Sequence, residues 1–240
     1  MRNNFEKEIK IQRDYYKSTA LNYDKNHLQN SDFEHEMALA WLSGLIKTFS
    51  IKTILDIGSG TGRVITYLKE IYPEIKIIGI EPSQELREIG YKKGISKEIL
   101  IRGDAMSLNF DDGEFDLVCE FATLHHIPCP EKAVSEMLRV SKKAIFISDC
   151  NNFGQGTFIN RTFKQFINIL GLWNIFNYFK TKGKGYTITA GDGLAYSYSV
   201  FNNYKIIRKQ CSCINLLNTL DGGFNLYRTS PQIALFGLKK

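Results

Sequence analysis

A glycine-rich turn behind an acidic residue is the first feature of the sequence with an evident chemical use. Residues 55–62 read LDIGSGTG, with Asp56 ahead of three alternating glycines. A strand, such a turn and a helix N-terminus often hold a nucleotide or nucleoside, because the backbone can approach the ligand closely. Position 63 holds arginine where a dinucleotide fingerprint needs glycine, and the Gly-Lys-Ser/Thr of a phosphate loop is absent. The acid would repel phosphate and attract a cation. The turn therefore predicts a site for a small, positively charged ligand.

Two adjacent histidines provide a second possible reactive group. His125 and His126 lie in the run FATLHHI, just after a predicted strand. Histidine has an unperturbed pKa of about 6.5, so it suits the removal of a proton from a hydroxyl group. Adjacent side chains point in different directions, and we favour His126 over His125 as a catalytic base. The alternative is that both residues cap the next helix or bind the backbone.

Alternating strands and helices must position these residues. Short β-branched runs separated by amphipathic segments predict a parallel sheet with helices on both faces. The predicted strands are residues 52–57, 76–80, 98–104, 114–121 and 143–149, and the predicted helices between them are 62–72, 82–93 and 131–140.

The flanking segments predict additions to this core. Two helices, at about 4–19 and 31–48, precede it, and a helix at about 160–180 follows it, with an apolar face formed by Phe163, Phe166, Ile167, Leu170 and Trp173. Further strands are predicted at 204–210 and 232–238. We interpret the chain as one domain with a helical lid (1–48), an α/β core (49–150), an insertion (151–203) and final strands (204–240).

Four motifs in this order resemble the class I S-adenosylmethionine (SAM)-dependent methyltransferases, including the quinone-biosynthesis group. They are LDIGSGTG, IIGIEPS ending the second strand, the Gly-Asp-Ala at 103–105, and FDLVCEFATLHHI at 115–127. The resemblance implies a Rossmann-like sheet of seven strands, the last one antiparallel. It also implies SAM as cofactor, S-adenosyl-L-homocysteine as product, and no metal.

The resemblance also implies roles for individual residues. Glu81 would accept hydrogen bonds from both ribose hydroxyls, and Asp104 would accept one from the adenine amino group. The full cofactor set is Asp56, Gly58, Gly60, Glu81, Asp104, Ala105, Phe121 and, from the lid, Tyr15. Tyr15 and its neighbours could instead pack on the core. The insertion would bind the acceptor, with Arg161 as first choice for a phosphate or carboxylate, and the full acceptor set is Arg161, Tyr23, Asn152, Tyr186 and Tyr198.

The charge distribution is uneven along the chain. The net charge is +6, but residues 1–150 carry 20 Lys/Arg against 23 Asp/Glu, whereas residues 151–240 carry 11 against 2. The basic second part indicates either an anionic partner or a solvated basic surface. The start of the chain lacks an apolar signal, and no apolar run is long enough to span a bilayer. Five cysteines without a CxxC pair favour a reduced, cytoplasmic protein.

We therefore expect a methyltransferase that modifies a small, polar, anionic acceptor at oxygen, possible settings being bacterial capsule or carbohydrate-precursor synthesis. An RNA or protein methyltransferase is an alternative, although no Asn/Asp-Pro-Pro-Tyr/Phe motif follows the fourth strand. A second alternative is a non-catalytic SAM-binding subunit. The sequence leaves the choice between monomer and dimer open.

Overall fold

The fold is built on a seven-stranded sheet. The structure, a computed structural model, describes residues 2–20, 23–24, 33–220 and 223–240, with side chains from Glu6 onward. In spatial order the sheet runs β3-β2-β1-β4-β5-β9-β8; β1 to β5 are parallel, and β9 is antiparallel to both of its neighbours. This confirms the predicted sheet with its antiparallel last strand. The strands are β1 (Thr53–Ile57), β2 (Lys76–Ile80), β3 (Leu100–Ile101), β4 (Phe115–Phe121), β5 (Ser141–Cys150), β8 (Cys211–Asn218) and β9 (Gln232–Lys239).

Helices cover both faces of this sheet. The central strand β4 is buried along its whole length, and its alternating side chains divide between two apolar cores: Leu117 joins one and Val118 the other. Such continuous burial is expected of a parallel strand with helices on both sides. The helices that contribute to these cores are α2 (Phe33–Thr48) and α3 (Arg63–Ile71) on one face, and α5 (Pro130–Val140) and α8 (Tyr204–Gln210) on the other; α4 (Gln84–Lys92) links β2 to β3.

Residues 204–210 form helix α8, so the strand predicted there is wrong. β5 and β8 both pair antiparallel with β9 and therefore run in the same direction. The chain must cross the face of the sheet before it enters β8, and a helix makes that crossover. Ile207 of α8 is fully buried against the core beside α5. The strand itself begins at Cys211, after the predicted segment.

The helix predicted at 160–180 is two helices, α6 (Phe158–Ile169) and α7 (Trp173–Lys180). Gly171 separates them with a φ of +71°, a left-handed conformation that ends a helix readily. Trp173 is buried, as expected, but Phe163, Phe166 and Leu170 are all exposed. The apolar face predicted from spacing exists, but much of it faces solvent.

A two-stranded hairpin that the sequence did not predict follows, formed by β6 (Tyr186–Thr189) and β7 (Gly193–Tyr196). Helix α1 (Arg2–Thr19) packs on it: the backbone N–H of Leu194 donates to Oε1 of Gln12 over 2.5 Å, and the Tyr196 hydroxyl donates to Glu8 over 2.7 Å. The N-terminal helix and the hairpin of the insertion are therefore packed against each other. No helix within the described ranges is both long and apolar enough to cross a membrane.

Asn151, at the end of β5, holds the insertion to the segment before β9. Its side chain is fully buried; the Nδ2 group donates to the carbonyl oxygens of Leu226, Tyr227 and Ser230, and Oδ1 accepts a hydrogen bond from Ser199. Leaving such buried groups unpaired costs about 1–3 kcal/mol each. The side chain therefore joins three separate parts of the chain.

Replacing Asn151 with alanine should lower the free energy of unfolding by about 3 kcal/mol, because several buried carbonyls lose their donor. Urea unfolding followed by circular dichroism would measure this change. Asn215→Ala, at an exposed position on β8, is the matched control and should change the stability by less than about 0.5 kcal/mol. Equal effects of the two substitutions would contradict the assignment.

Candidate active site

A cavity of about 180 Å³ lies at the carboxyl ends of β1, β2 and β4, where open α/β sheets bind their ligands. We call it the sheet-edge cavity. Part of the predicted cofactor set lines it, namely Gly58, Glu81, Asp104, Ala105 and Phe121, and Tyr23 from the predicted acceptor set lines it too.

The glycine turn reaches this cavity at Gly58, which is tightly packed against Thr123. Gly58 has a φ of +70°, and a Cβ there would lie 2.2 Å from Oγ1 of Thr123. Asp56 is buried and accepts a hydrogen bond from the Ser59 hydroxyl over 2.6 Å. Burial raises the pKa of Asp56 to about 7. Asp56 is not among the residues that line the cavity, so its carboxyl supports the turn from behind and does not face the ligand as expected.

Glu81 joins the glycine turn to the end of β2. One carboxyl oxygen accepts from the backbone N–H of Ser83 over 2.7 Å, and the other accepts from that of Gly60 over 3.1 Å. This contact explains the position of Gly60, which supports Glu81 without lining the cavity. Burial raises the pKa of Glu81 to about 7. Each carboxyl oxygen keeps acceptor capacity for a further donor, such as a hydroxyl group.

The aromatic residue of α1 at this cavity is Tyr16 and not Tyr15. The Tyr15 hydroxyl donates to the carbonyl of Ala190 over 3.0 Å, so its side chain belongs to the contact between α1 and the hairpin. The Tyr16 ring lies 5.9 Å from the ring of Tyr23 and 6.1 Å from that of His126, both edge to face. The sequence shows two adjacent tyrosines on one helix, and only the packing decides which one turns inward.

A second, larger cavity of about 570 Å³ lies beside the first. We call it the insertion cavity, because residues of the insertion form most of its wall. Asn152, Tyr186 and Tyr198 of the predicted acceptor set line it, together with His125. Three residues line both cavities: His35, Ala122 and Asp192.

Arg161 does not line either cavity. Its guanidinium donates to the carbonyl of Gly156 over 3.2 Å, within the turn before α6. Arg161, the predicted anion contact, is therefore not part of the cavity that the other predicted acceptor residues line. The basic side chain that does line the insertion cavity is Lys180, at the end of α7.

The two histidines face different cavities and share a carboxylate. His125 lines the insertion cavity, with Nδ1 2.6 Å from Oδ1 of Asp149 and Nε2 3.3 Å from Oδ2 of Asp192. His126 lines the sheet-edge cavity; its Nδ1 lies 2.6 Å from the carbonyl oxygen of Leu194 and its Nε2 3.3 Å from Oδ1 of Asp192. We favoured His126 as the base, but His125 is the histidine beside the acceptor residues.

The charges in this cluster are strongly coupled. Burial disfavours the cationic form of His125, but the carboxylates of Asp149 and Asp192 outweigh it and raise the pKa of His125 well above its usual value. Burial also opposes the ionisation of Asp149 and Asp192. The nearby histidines favour it more strongly, so the pKa values of both carboxyl groups are lowered. At neutral pH His125 is therefore an imidazolium ion between two carboxylates. A protonated His125 cannot itself accept a proton, and the lowered pKa of Asp192 makes its half-exposed carboxylate a weak base.

His125, His126 and Asp192 also have potential metal-ligating atoms within 4.8 Å of one another. The hydrogen bonds and charge pairs among these side chains account for their proximity, so we assign no metal to them. The sequence offers Asp192, like Asp149, only as an alternative polar or basic contact near the acceptor, and the structure brings both carboxylates to His125.

Comparison with known proteins agrees with this geometry. Residues 55–147 match the family described as a methyltransferase domain. The demethylmenaquinone methyltransferase of Staphylococcus carnosus is 33% identical over 133 residues, which cover 53% of this chain and 54% of that protein. The chain thus matches about half the length of its curated relatives.

Solved structures share the fold over nearly the whole chain. A possible histamine N-methyltransferase from Thermotoga maritima superposes with a TM-score of 0.59 at 21% identity and covers 94% of this chain and 99% of its own. Magnesium protoporphyrin IX methyltransferase from Synechocystis PCC 6803, solved with bound SAM, gives a TM-score of 0.60 at 12% identity and covers 97% of each chain.

The seven-stranded sheet has the class I methyltransferase fold. Residues 55–147 match a methyltransferase domain, and the whole chain shares its fold with methyltransferases, one of which was solved with bound SAM. The sheet-edge cavity fits this cofactor, because Glu81 offers free acceptor capacity at the end of β2 and Phe121 offers an apolar wall.

Replacing Glu81 with glutamine should remove the pH dependence of SAM binding near neutrality. The pKa of Glu81 is about 7, so its ionised fraction rises with pH, and an ionised carboxylate accepts hydrogen bonds more strongly. We expect the dissociation constant of SAM for the unmodified protein to fall several-fold from about pH 6 to about pH 8, and that of E81Q to stay nearly constant. Titration calorimetry would measure both.

Glu88→Gln, at an exposed position on α4, is the matched control and should retain the pH dependence of the unmodified protein. An unchanged pH dependence in E81Q would show that another group, such as Asp56, governs SAM binding.

Proposed function

We propose that the chain transfers the methyl group of SAM to a hydroxyl group of a small polar acceptor held in the insertion cavity. The observation that carries this proposal is the pair of adjoining cavities that share Ala122 and Asp192. One cavity has the cofactor residues of the family, and the other has hydrogen-bonding side chains from the insertion. A methyl group at their junction would lie near both.

The charge cluster at this junction suits the proton balance of the reaction. Bound SAM would supply a methyl group on a positively charged sulfur. When the acceptor oxygen forms a bond to that methyl group, the methyl–sulfur bond breaks and the hydroxyl proton must leave. Asp192 would hold the hydroxyl by a hydrogen bond, and the proton would pass to water at the half-exposed side of this carboxylate. His125 holds Asp192 in place, and the buried carboxylate of Asp149 stabilises the imidazolium. Together these three groups carry a net negative charge, which also favours a cationic sulfur nearby.

The remaining lining of the insertion cavity indicates the acceptor's chemistry. Asn152 donates to the Ser197 hydroxyl over 3.0 Å, and Tyr186 and Tyr196 supply further hydroxyl groups. Lys180 would bind a phosphate or carboxylate group on the acceptor. That group would lie away from the reacting oxygen, because the negative charge of the Asp149–His125–Asp192 cluster would repel it. We retain capsule or carbohydrate-precursor synthesis as the proposed setting.

An apolar quinone-type acceptor is the second candidate. The curated relative from Staphylococcus carnosus is a demethylmenaquinone methyltransferase, and the apolar outer surface of α7 lies on the helix that forms part of the cavity wall. We favour the polar acceptor, because the polar residues Asn152, Thr181 and Ser197 all line the insertion cavity.

The first experiment is a screen for methyl transfer from labelled SAM. The acceptors are fractions of phosphorylated metabolites, other acidic or neutral metabolites, isoprenoid quinone precursors, and total RNA. We expect label in a polar small-molecule fraction. Label in the quinone fraction would favour the second candidate, and label in RNA alone would contradict the proposal. If SAM binds but no fraction is labelled, the chain is a non-catalytic SAM-binding subunit.

Replacing Asp192 with asparagine should reduce kcat on the labelled fraction by about a hundredfold, because the acceptor hydroxyl loses the carboxylate that positions it. His125→Gln should reduce kcat more than His126→Gln, since His125 positions Asp192 on the acceptor side. Asp112→Asn, at an exposed position far from both cavities, is the control and should leave kcat unchanged. A greater loss in His126→Gln than in His125→Gln would restore His126 as the main candidate.

A further inference from the structure

Helices α6 and α7 expose an unusual amount of apolar surface. On α6, Ile159 and Ile169 are 76% and 81% exposed, and on α7 Phe179 is 73% exposed. Scattered apolar residues on a surface are ordinary, but a contiguous patch commonly marks an interaction site. These residues lie within regular helices and not in irregular loops.

The exposed residues form one continuous surface across both helices. On α6 and its C-cap, Ile159, Phe163, Phe166 and Leu170 recur every three or four residues and so share one side of the helix. The Phe163 ring packs edge to face on the ring of Phe176 on α7, with 5.4 Å between the ring centres, so the two helices are in contact. We call this surface the apolar face; its members are Ile159, Phe163, Phe166, Leu170, Ile175 and Phe179.

The segment that carries the apolar face has positive charges and no negative ones. Between residues 151 and 191 the sequence contains five Lys or Arg and no Asp or Glu. Lys164 turns inward and donates to the carbonyls of Asn152 and Gln155, which fastens α6 to the end of β5. Lys180, Lys182 and Lys184 remain exposed at the end of α7 and in the turn after it.

We propose that the apolar face docks on the surface of an anionic lipid bilayer, with α6 and α7 lying in the plane of the interface. Exposed aliphatic and aromatic side chains beside lysines are the composition that inserts between acyl chains while contacting acidic headgroups. RNA fits less well, because half of the apolar face is aliphatic, and Ile159, Leu170 and Ile175 offer no flat surface on which bases can stack. A second copy of the chain would bring like charges together at the lysines.

Docking in this orientation would place the insertion cavity beside the bilayer. Asn177, Lys180 and Thr181 line that cavity and belong to the same helix, or helix end, as Ile175 and Phe179 of the apolar face. An acceptor with an apolar tail could then leave the tail in the bilayer while its polar end enters the cavity. The docking itself does not depend on the proposed reaction, because it uses only the outer surface.

Sedimentation with lipid vesicles tests the proposal on the protein without added SAM. We expect binding to phosphatidylcholine vesicles that contain about 30% phosphatidylglycerol, and at least tenfold weaker binding to pure phosphatidylcholine. Raising the salt from about 0.05 M to about 0.5 M should weaken the binding, because headgroup attraction is screened.

Two pairs of variants separate the apolar and electrostatic contributions. Ile159→Ser with Phe179→Ser should reduce vesicle binding at least tenfold, whereas Ile71→Ser, at an exposed position on α3, should not. Lys182→Glu with Lys184→Glu should abolish the preference for anionic vesicles, whereas Lys205→Glu with Lys209→Glu on α8 should preserve it. All substitutions are at exposed positions, and thermal unfolding would verify that each variant folds.

Three results would overturn the proposal. The first is the absence of binding to anionic vesicles. The second is a dimer, seen by light scattering, that dissociates when Ile159 and Phe179 are replaced. The third is RNA binding that requires Lys182 and Lys184 while vesicles remain unbound. Each of these can be obtained whether or not the chain transfers methyl groups, so failure here is distinct from failure of the proposed function.

Discussion

The buried carboxylate of Asp149 is the constraint on which the active-site region depends. It is 1% exposed at the end of β5, and an ionised group so buried needs a compensating charge. His125 supplies it, through a 2.6 Å contact to the ring and a further hydrogen bond from its backbone N–H. Once His125 is charged and fixed, its other ring nitrogen attracts Asp192 from the hairpin. One buried charge thus fixes His125, and His125 in turn contributes, with α1, to holding the hairpin at Asp192.

The features that the sequence predicted are those set by local spacing. The strands around Gly58, Glu81 and Asp104 follow from short apolar runs, and the cofactor residues sit at the ends of those strands, where a parallel sheet must place them. These residues come together because neighbouring strands end at the same edge.

The features that the sequence did not predict depend on contacts between distant segments. Asp192 meets His125 across 67 positions of the chain, and no periodicity links the two. Tyr15 and Tyr16 are equivalent in sequence, and only the hairpin packed against α1 separates them. Residues 204–210 have the composition of a strand, but the direction of β8 requires a helix there. Arg161 was selected for its chemistry alone, and chemistry does not reveal on which side of a helix the cavity lies.

The charge asymmetry of the sequence acquires a physical explanation from the fold. Of the two acids after residue 150, Asp192 is committed to the histidines, so it does little to offset the lysines of α7 and the following turn. Negative charge is concentrated where the two cavities meet, and positive charge on the outer helices. The protein thus has different electrostatic surroundings at the reacting end of its cavity and at its outer rim.

Gln12 of helix α1 connects the exchange of SAM to the position of Asp192. Its side chain accepts from the backbone of Leu194, donates to the carbonyl of Asp192 and lies 3.3 Å from His126. Helix α1 therefore holds the carboxylate that the proposed reaction uses. If α1 lifted to exchange SAM for its product, the hairpin would lose these contacts and Asp192 would no longer be held against the histidines. Asp192 would then be in place to hold the acceptor hydroxyl only while α1 is packed on the hairpin, so methyl transfer would not proceed in the open site.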